Sequence, residues 1–325
     1  MCIRDSNFTT SSENLKVMRI GILTSGGDCP GINATIRGVC KTAISHYGME
    51  VYGIRSGFRG LLDNDIIPLD ENSLTGLLSM GGTILGTSRE KPFKNRANVP
   101  VSEDKPAMML KTIRERKLDC VVCIGGNSTQ KTAAKLAATG VNVVTVPKTI
   151  DNDVWGTDIS FGFDSAVSIA TEAIDRLHST ASAHQRVMVI EVMGHKAGWI
   201  ALYSGMAGGG DIILLPEIPF DIHRIGDTII SRLKKGKPYS IVVVAEGIPT
   251  LGGKKAAQYI AEEIEYETGF ETRETVLGYI QRGGGPTAFD RNLATRMGGH
   301  ATELIASGQF GRMVSLRGSE ITSVP

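Results

Sequence analysis

The chain has 325 residues, 41% of them hydrophobic, which is long enough for two domains. Its net charge is +1, its Lys and Arg are scattered and only 6% of residues are aromatic, which argues against a nucleic-acid partner. No apolar run reaches the roughly 18 residues of a membrane span, so no membrane partner is expected either. Residues 1–17 are polar, lack the apolar stretch of a secretory signal, and read as a disordered extension or an artefact, with Met18 as the natural start. Five cysteines, an odd number in a long chain, point to a reducing compartment and a cytoplasmic location.

Along the chain, residues 19–24 read as a first strand, followed by Ser25-Gly26-Gly27-Asp28-Cys29-Pro30-Gly31 and a helix from Ala34. A short apolar run at 51–54 follows, then another at 120–124. Cys120 and Cys123 lie inside the latter, where residues three apart face opposite sides of a strand, so they read as core thiols and not as a redox or zinc pair. Next come Gly125-Gly126-Asn127-Ser128-Thr129, a helix near 130–138, an apolar run at 141–146, and Pro147-Lys148-Thr149-Ile150-Asp151-Asn152-Asp153. Further runs at 187–192, 212–215 and 241–245 alternate with helical patterns. Such alternation implies α/β architecture, with parallel sheets covered by helices on both faces.

Three loops carry chemistry. A glycine turn between a strand and a helix lets backbone approach phosphate and aims free N–H groups at it. The Gly26 and Gly126 loops have that form, but neither is a Walker loop nor a dinucleotide fingerprint. Asp151 and Asp153 stand where a parallel strand ends, the place where open α/β sheets bind ligands. Two close carboxylates read either as an Asp-rich turn or as one base plus one metal ligand, the pair that phosphoryl transfer to a hydroxyl requires.

With these residues in this order the sequence resembles the 6-phosphofructokinase family. The resemblance runs from about Arg19 to the end. It includes Gly26-Gly27-Asp28, Gly86-Thr87-Ser88-Arg89, the Gly126 loop and Thr149 to Asp153. It continues through Arg186, Glu191-Val192-Met193-Gly194, Glu246 and Gln281-Arg282-Gly283-Gly284. Lys148 and the Gly-Gly-Asn loop look most like the branch that mixes ATP and pyrophosphate users.

The resemblance implies two doubly wound, mostly parallel-sheet domains with the active site in the cleft between them. Residues 18–160 plus 281–312 would bind the donor phosphates, and 161–280 plus 313–325 the sugar phosphate. Family members usually continue past residues 313–316, so a truncated C-terminus is expected. The implied reaction is Mg²⁺-dependent transfer of a phosphoryl group to the 1-hydroxyl of fructose 6-phosphate. Asp151 matches the base, with Arg89, Thr149 and Lys148 beside it. Gly27, Asp28, Phe58, Arg89, Gly126, Asn127, Ser128 and Thr129 match donor-binding positions. Asp153 and Asn127 match positions associated with the metal. Thr149, Asp151, Arg186, Met193, Gly194, His195, Glu246, Arg273, Tyr279 and Arg282 match the sugar-phosphate site. The counterparts of Arg186 and Arg273 reach in from a neighbouring subunit, which implies a homo-oligomer, dimer or tetramer, with shared sites.

The chain departs from the family in the Gly126 loop. Asn127 replaces a carboxylate by a neutral amide. Ser128 stands between the glycine of many ATP users, which leaves room for the α-phosphate, and the Asp of many pyrophosphate users. Being small and uncharged, Ser128 favours ATP on steric and charge grounds. Pyrophosphate is the alternative donor. A non-catalytic sugar-phosphate-binding subunit is a third reading, opposed by the presence together of Asp151, Asp153 and Arg89.

Overall fold

Short runs of Val, Ile and Leu bounded by glycine or Asx become buried strands, because both faces of a parallel sheet are covered. The computed structural model describes residues 17–93 and 104–325, so most of the polar extension expected over 1–17 lies outside the described residues. The elements follow in order as β1 (Arg19–Ser25), α1 (Ile32–Tyr47), β2 (Glu50–Ile54), α2 (Phe58–Asp63), β3 (Ile66–Leu69), α3 (Lys105–Glu115) and β4 (Cys120–Gly125). Then come α4 (Asn127–Ala137), β5 (Val143–Pro147), α5 (Phe163–His184), β6 (Val187–Val192), α6 (Trp199–Ala207) and β7 (Ile212–Leu214). The chain closes with α7 (Ile222–Lys234), β8 (Ser240–Ala245), α8 (Ala256–Thr268), β9 (Thr272–Val276), α9 (Ala288–Ala306), β10 (Arg312–Arg317) and β11 (Glu320–Val324). No described helix is long and apolar enough to cross a membrane.

The strands form two sheets. The first runs β11-β10-β5-β4-β1-β2-β3 and the second β7-β8-β6-β9. In the first, β2–β1–β4–β5–β10 are mutually parallel, and the edges β3 and β11 pair antiparallel. The second sheet is parallel throughout. From β1 the chain moves outward to β2, then returns to place β4 on the other side of β1. The loops after β1 and β4 therefore open a crevice at a topological switch point.

Period-two alternation sorts the first sheet's residues between two faces. Cys120, Val122 and Ile124 join the core that continues into the second sheet, whereas Val121 and Cys123 join a separate core under α2 and α3. The two cysteines thus face opposite sides as their spacing predicts. Burial raises both thiols far above the ordinary cysteine range, so they are inert core groups.

Contrary to the expected division, residues 313–325 do not join the sugar-phosphate half. They form β10 and β11 in the first sheet, where Arg312 and Met313 pair in parallel register with Val144 and Thr145. The helix α9 carries the chain back and fixes that placement by packing on α1. A Cβ on Gly38 would stand 2.6 Å from the Thr295 carbonyl, and one on Gly298 would stand 2.4 Å from the Thr35 carbonyl. Only glycine lets the two backbones approach this closely.

Candidate active site

Three loops at the carboxyl ends of β1, β4 and β5 build one wall of a cleft of about 890 Å³. After β1 the chain turns at Gly26, whose φ of 86° suits glycine. Gly26 donates its N–H to the Ser88 carbonyl at 3.0 Å, and Thr87 Oγ1 donates back to the Gly26 carbonyl at 2.6 Å. This fixes the loop that carries Arg89 beside the glycine turn. Lys148 Nζ donates to the Gly27 carbonyl, and Arg282 Nη1 donates to the Asp28 carbonyl at 3.1 Å. A Cβ on Gly27 would stand 2.9 Å from Arg282 Nη1, so a side chain there would displace the guanidinium. Lys148 is buried, and burial lowers its ammonium pKa below the usual lysine value.

After β4 the backbone turns directly into α4. Gly126 precedes the helix and Asn127 is its first residue, three positions earlier than the sequence pattern indicated. Ser128 is exposed on the cleft; the N–H groups of Thr129 and Gln130 donate to the Gly126 carbonyl at 2.9 Å and 3.0 Å, which leaves those of Asn127 and Ser128 at the mouth of α4. Thr129 is buried and donates to the Ser25 carbonyl at 3.3 Å, so it ties the β4 loop to the β1 loop. Asn127 Nδ2 donates to Asp153 Oδ2 at 2.9 Å and to the Asp153 carbonyl at 3.2 Å. Both amide hydrogens of Asn127 are thus spent on Asp153, and Oδ1 is the atom left to face a cation.

After β5 comes the loop with both carboxylates. Asp151 is partly buried, and its Oδ1 has no hydrogen-bond partner. Burial raises its carboxyl above the usual carboxylate range, opposed by Arg282 and reinforced by Asp153 and Glu246. Its backbone N–H donates to Thr149 Oγ1 at 3.0 Å. Asn152 sits at a φ of 49°, a left-handed conformation that Asn tolerates. Ser160 Oγ donates to the Thr149 carbonyl at 2.9 Å and closes the loop.

The second sheet supplies the opposite wall from the ends of β6, β8 and β9. Glu246 Oε1 accepts the backbone N–H of His195 at 2.7 Å and of Gly194 at 3.2 Å. That carboxylate holds His195 at a φ of 54° with its side chain in the cleft. Gln281 Oε1 accepts the Met193 N–H at 3.2 Å. Glu246, Met193 and Gly194 thus brace this wall, with the Glu246 carboxylate near enough to Asp151 to reinforce its shift.

The cleft thus brings together Gly27, Gly126, Asn127, Ser128 and Thr129 with Arg89, Lys148, Thr149, Asp151, Asp153, His195 and Arg282. Phe58 is a correction. It is 1% exposed and packs in the core under α2 and α3 with Leu23, Ile54 and Leu61, because it follows Gly57 as the first residue of a buried helix. Asp28 contributes its carbonyl, not a lining side chain. Tyr279 is exposed outside the cleft. Arg186 and Arg273 also lie outside this chain's cleft, and both pair with Glu271, at 3.1 Å and 2.5 Å. Arg59, Lys91 and Lys105 also line the cleft, and the sequence flags none of them as a site residue. Lys105 pairs with Glu90 at 2.9 Å, and no local motif flags a lysine at the start of α3 as part of a site reached from Gly86.

Two mostly parallel sheets that meet over glycine turns, a partly buried carboxylate and several cations define a phosphate-handling α/β protein. The comparisons narrow the class. A family model described as phosphofructokinase matches residues 19–305. The chain is 78% identical over 308 residues to ATP-dependent 6-phosphofructokinase 3 of Bacteroides thetaiotaomicron, covering 95% of this chain and 91% of that one. It is 47% identical over 326 residues to the pyrophosphate–fructose 6-phosphate 1-phosphotransferase of Streptomyces coelicolor, covering 95% of this chain and 93% of that one. The T-state crystal structure of Pichia pastoris phosphofructokinase superposes with a TM-score of 0.87 at 31% identity, over 97% of this chain and 36% of that chain. The chain belongs to the phosphofructokinase family and is an enzyme.

Proposed function

We propose that the protein transfers the terminal phosphoryl group of ATP to the 1-hydroxyl of fructose 6-phosphate, giving fructose 1,6-bisphosphate in glycolysis. The relatives named for ATP-dependent 6-phosphofructokinase support this reading. The structural observation that carries it is Asp151. Its buried, unpartnered Oδ1 shares a cleft with the glycine turns after β1 and β4.

An ionised Asp151 accepts the proton of the 1-hydroxyl as that oxygen attacks the terminal phosphorus, and the bond to the bridging oxygen of the leaving ADP breaks. Thr149 Oγ1 accepts from the Asp151 N–H, which leaves its own hydroxyl hydrogen for the sugar. Arg89 and Lys148 line the same cleft and offset charge on the transferring phosphate. The N–H groups of the β1 loop and of the first turn of α4 receive the rest of the donor.

Asp153 is an exposed carboxylate on the cleft, and magnesium is commonly held by one or two carboxylates plus substrate phosphates, so the residues fit it. Bound there, magnesium supplies charge neutralisation at the phosphate oxygens.

Arg282 and His195 face the sugar side of the cleft and suit its phosphate. Arg186 and Arg273 complete that site from a neighbouring copy in this reading, which makes the protein a homo-oligomer, dimer or tetramer. Their placement outside their own chain's cleft supports it. A cytoplasmic location goes with a glycolytic role.

Pyrophosphate is the second reading for the donor. Lys148 and the Streptomyces relative so named favour it, and the small, uncharged Ser128 favours ATP. The test is formation of fructose 1,6-bisphosphate from fructose 6-phosphate and Mg²⁺, with ATP and pyrophosphate supplied separately. Turnover with ATP is expected. Turnover with pyrophosphate alone would replace the donor, and turnover with neither would remove the proposal.

A further inference from the structure

We infer that Asn127 is a positioning residue whose amide holds the Asp153 carboxylate in the cleft and limits the cation site to one carboxylate, so that the divalent cation enters on the donor's phosphates. The inference rests on the phosphoryl-transfer reading above.

Asn127 and Asp153 come from different loops, one at the start of α4 and one after β5. Both hydrogens of Asn127 Nδ2 point at Asp153, one at Oδ2 (2.9 Å) and one at the backbone carbonyl (3.2 Å). The flipped amide is excluded chemically, because it would set Oδ1 against two oxygens of Asp153 with no proton between them. The bidentate contact therefore fixes the carboxylate and the backbone that carries it. The loop is ordered from its other side by Asn152, Ser160 and Thr149. Asp153 is thus held in place without a cation.

The same contact has a cost in cation affinity. Nδ2 occupies one direction of approach to Oδ2 and contributes no negative charge. No group of three or more His, Cys, Asp or Glu side chains that could hold a metal exists among the described residues. A single exposed carboxylate binds a hydrated divalent cation weakly. It binds well once phosphate oxygens supply further ligands. An Asp at position 127 would reverse this. Two carboxylates would then face each other at hydrogen-bond distance, repelling when no cation is present and chelating when one is.

Mn²⁺ is the probe, followed by loss of its aqueous electron paramagnetic resonance signal with no donor or sugar present. The parent protein is expected to take up free Mn²⁺ weakly, and Asn127→Asp to bind it about 10–100-fold tighter. Asn127→Ala, which loses the latch and adds no charge, is expected to leave free Mn²⁺ uptake weak. It should also weaken uptake of the Mn²⁺ complexes of ATP and pyrophosphate by about tenfold or more. Melting temperatures of both variants control for folding, and Asn127→Ala stands as the test if Asn127→Asp does not fold. Tight free Mn²⁺ binding by the parent would overturn the inference. So would an Asn127→Ala protein that holds the Mn²⁺–donor complexes as tightly as the parent. The manganese readout does not depend on turnover, so a protein without kinase activity would count against the proposed function and not against this contact.

Discussion

Asn152 Oδ1 accepts the backbone N–H of Ser160 at 2.9 Å, while its Nδ2 donates to the Asp158 carbonyl at 3.2 Å. These bonds span the loop immediately after the Thr149-Ile150-Asp151 segment and hold Asn152 at its φ of 49°. The side chain lies between Asp151 and Asp153 in sequence, yet its amide turns to the Asp158–Ser160 segment and fixes the backbone that carries both carboxylates. Asn152→Ala loses the hydrogen bonds and adds left-handed strain, about 1–3 kcal/mol together. Asn152→Gly loses the bonds but not the conformation. Both variants should lower the melting temperature and kcat, with Asn152→Ala the more stable of the two only if the left-handed backbone is unimportant. Thermal melts and single-substrate kinetics on the pair check this.

Asp151→Asn should lower kcat by about 10²–10⁴-fold while leaving the melting temperature unchanged or higher. The stability direction follows from burial, which penalises the ionised carboxylate and not the amide. The pH dependence has a definite sign. The base works ionised, so activity is present above its pKa and falls as pH drops through it. Because burial raises that pKa, the acidic limb should lie above the ordinary carboxylate range. A kcat/KM profile that stays flat down to the usual aspartate value would remove Asp151 as the base.

The wall built from the first sheet was largely legible in the sequence, because each of its parts is local. Apolar runs at 19–24 and 120–124 end in glycine turns, and both became strand, turn and helix within a few residues of the expected limits. Partner choice was not legible. The run at 313–316 reads as a buried strand, but nothing in its pattern says that its partner is β5, about 170 residues earlier. The resemblance alone places Phe58 at the donor pocket; read by itself it is a core aromatic, and the turn at Gly57 does drive it into the core. The backbone roles of Glu246 and Gln281, which accept N–H groups from the β6 loop, depend on strands that meet only in the folded sheet.

Ser128 is exposed at the second position of α4 and faces the cleft, so in the proposed reading it sets the space and charge beside the donor. In that reading Ser128→Asp places a carboxylate beside a nucleotide's α-phosphate, which the shorter pyrophosphate lacks. The substitution should lower kcat/KM for ATP by about tenfold or more, an effect of 1.4 kcal/mol or more. It should lower kcat/KM for pyrophosphate less, or raise it. Equal losses with both donors would mean that Ser128 does not discriminate between them.

Asp290 offers a stability test away from the cleft. It is fully buried near the start of α9, where Oδ2 accepts the N–H and hydroxyl of Ser165 at 2.8 Å and 2.6 Å. Its Oδ1 has no partner, and burial raises its pKa from 3.8 to about 6 against the pull of those hydrogen bonds. Below the unfolded value both states carry the proton and no penalty exists. As pH rises towards 6 the folded state holds a proton that the unfolded state has released, so stability falls. Above 6 the full penalty of a buried charge remains, on the order of 1–3 kcal/mol. Asn at this position keeps the acceptor for Ser165 and removes the charge. Asp290→Asn should therefore melt higher than the parent at pH 8, by about 2–4 °C per kcal/mol. The gap should close as the pH approaches 4. A variant that melts lower than the parent by the same amount at both pH values would show that Asp290 carries no ionisation penalty in the fold.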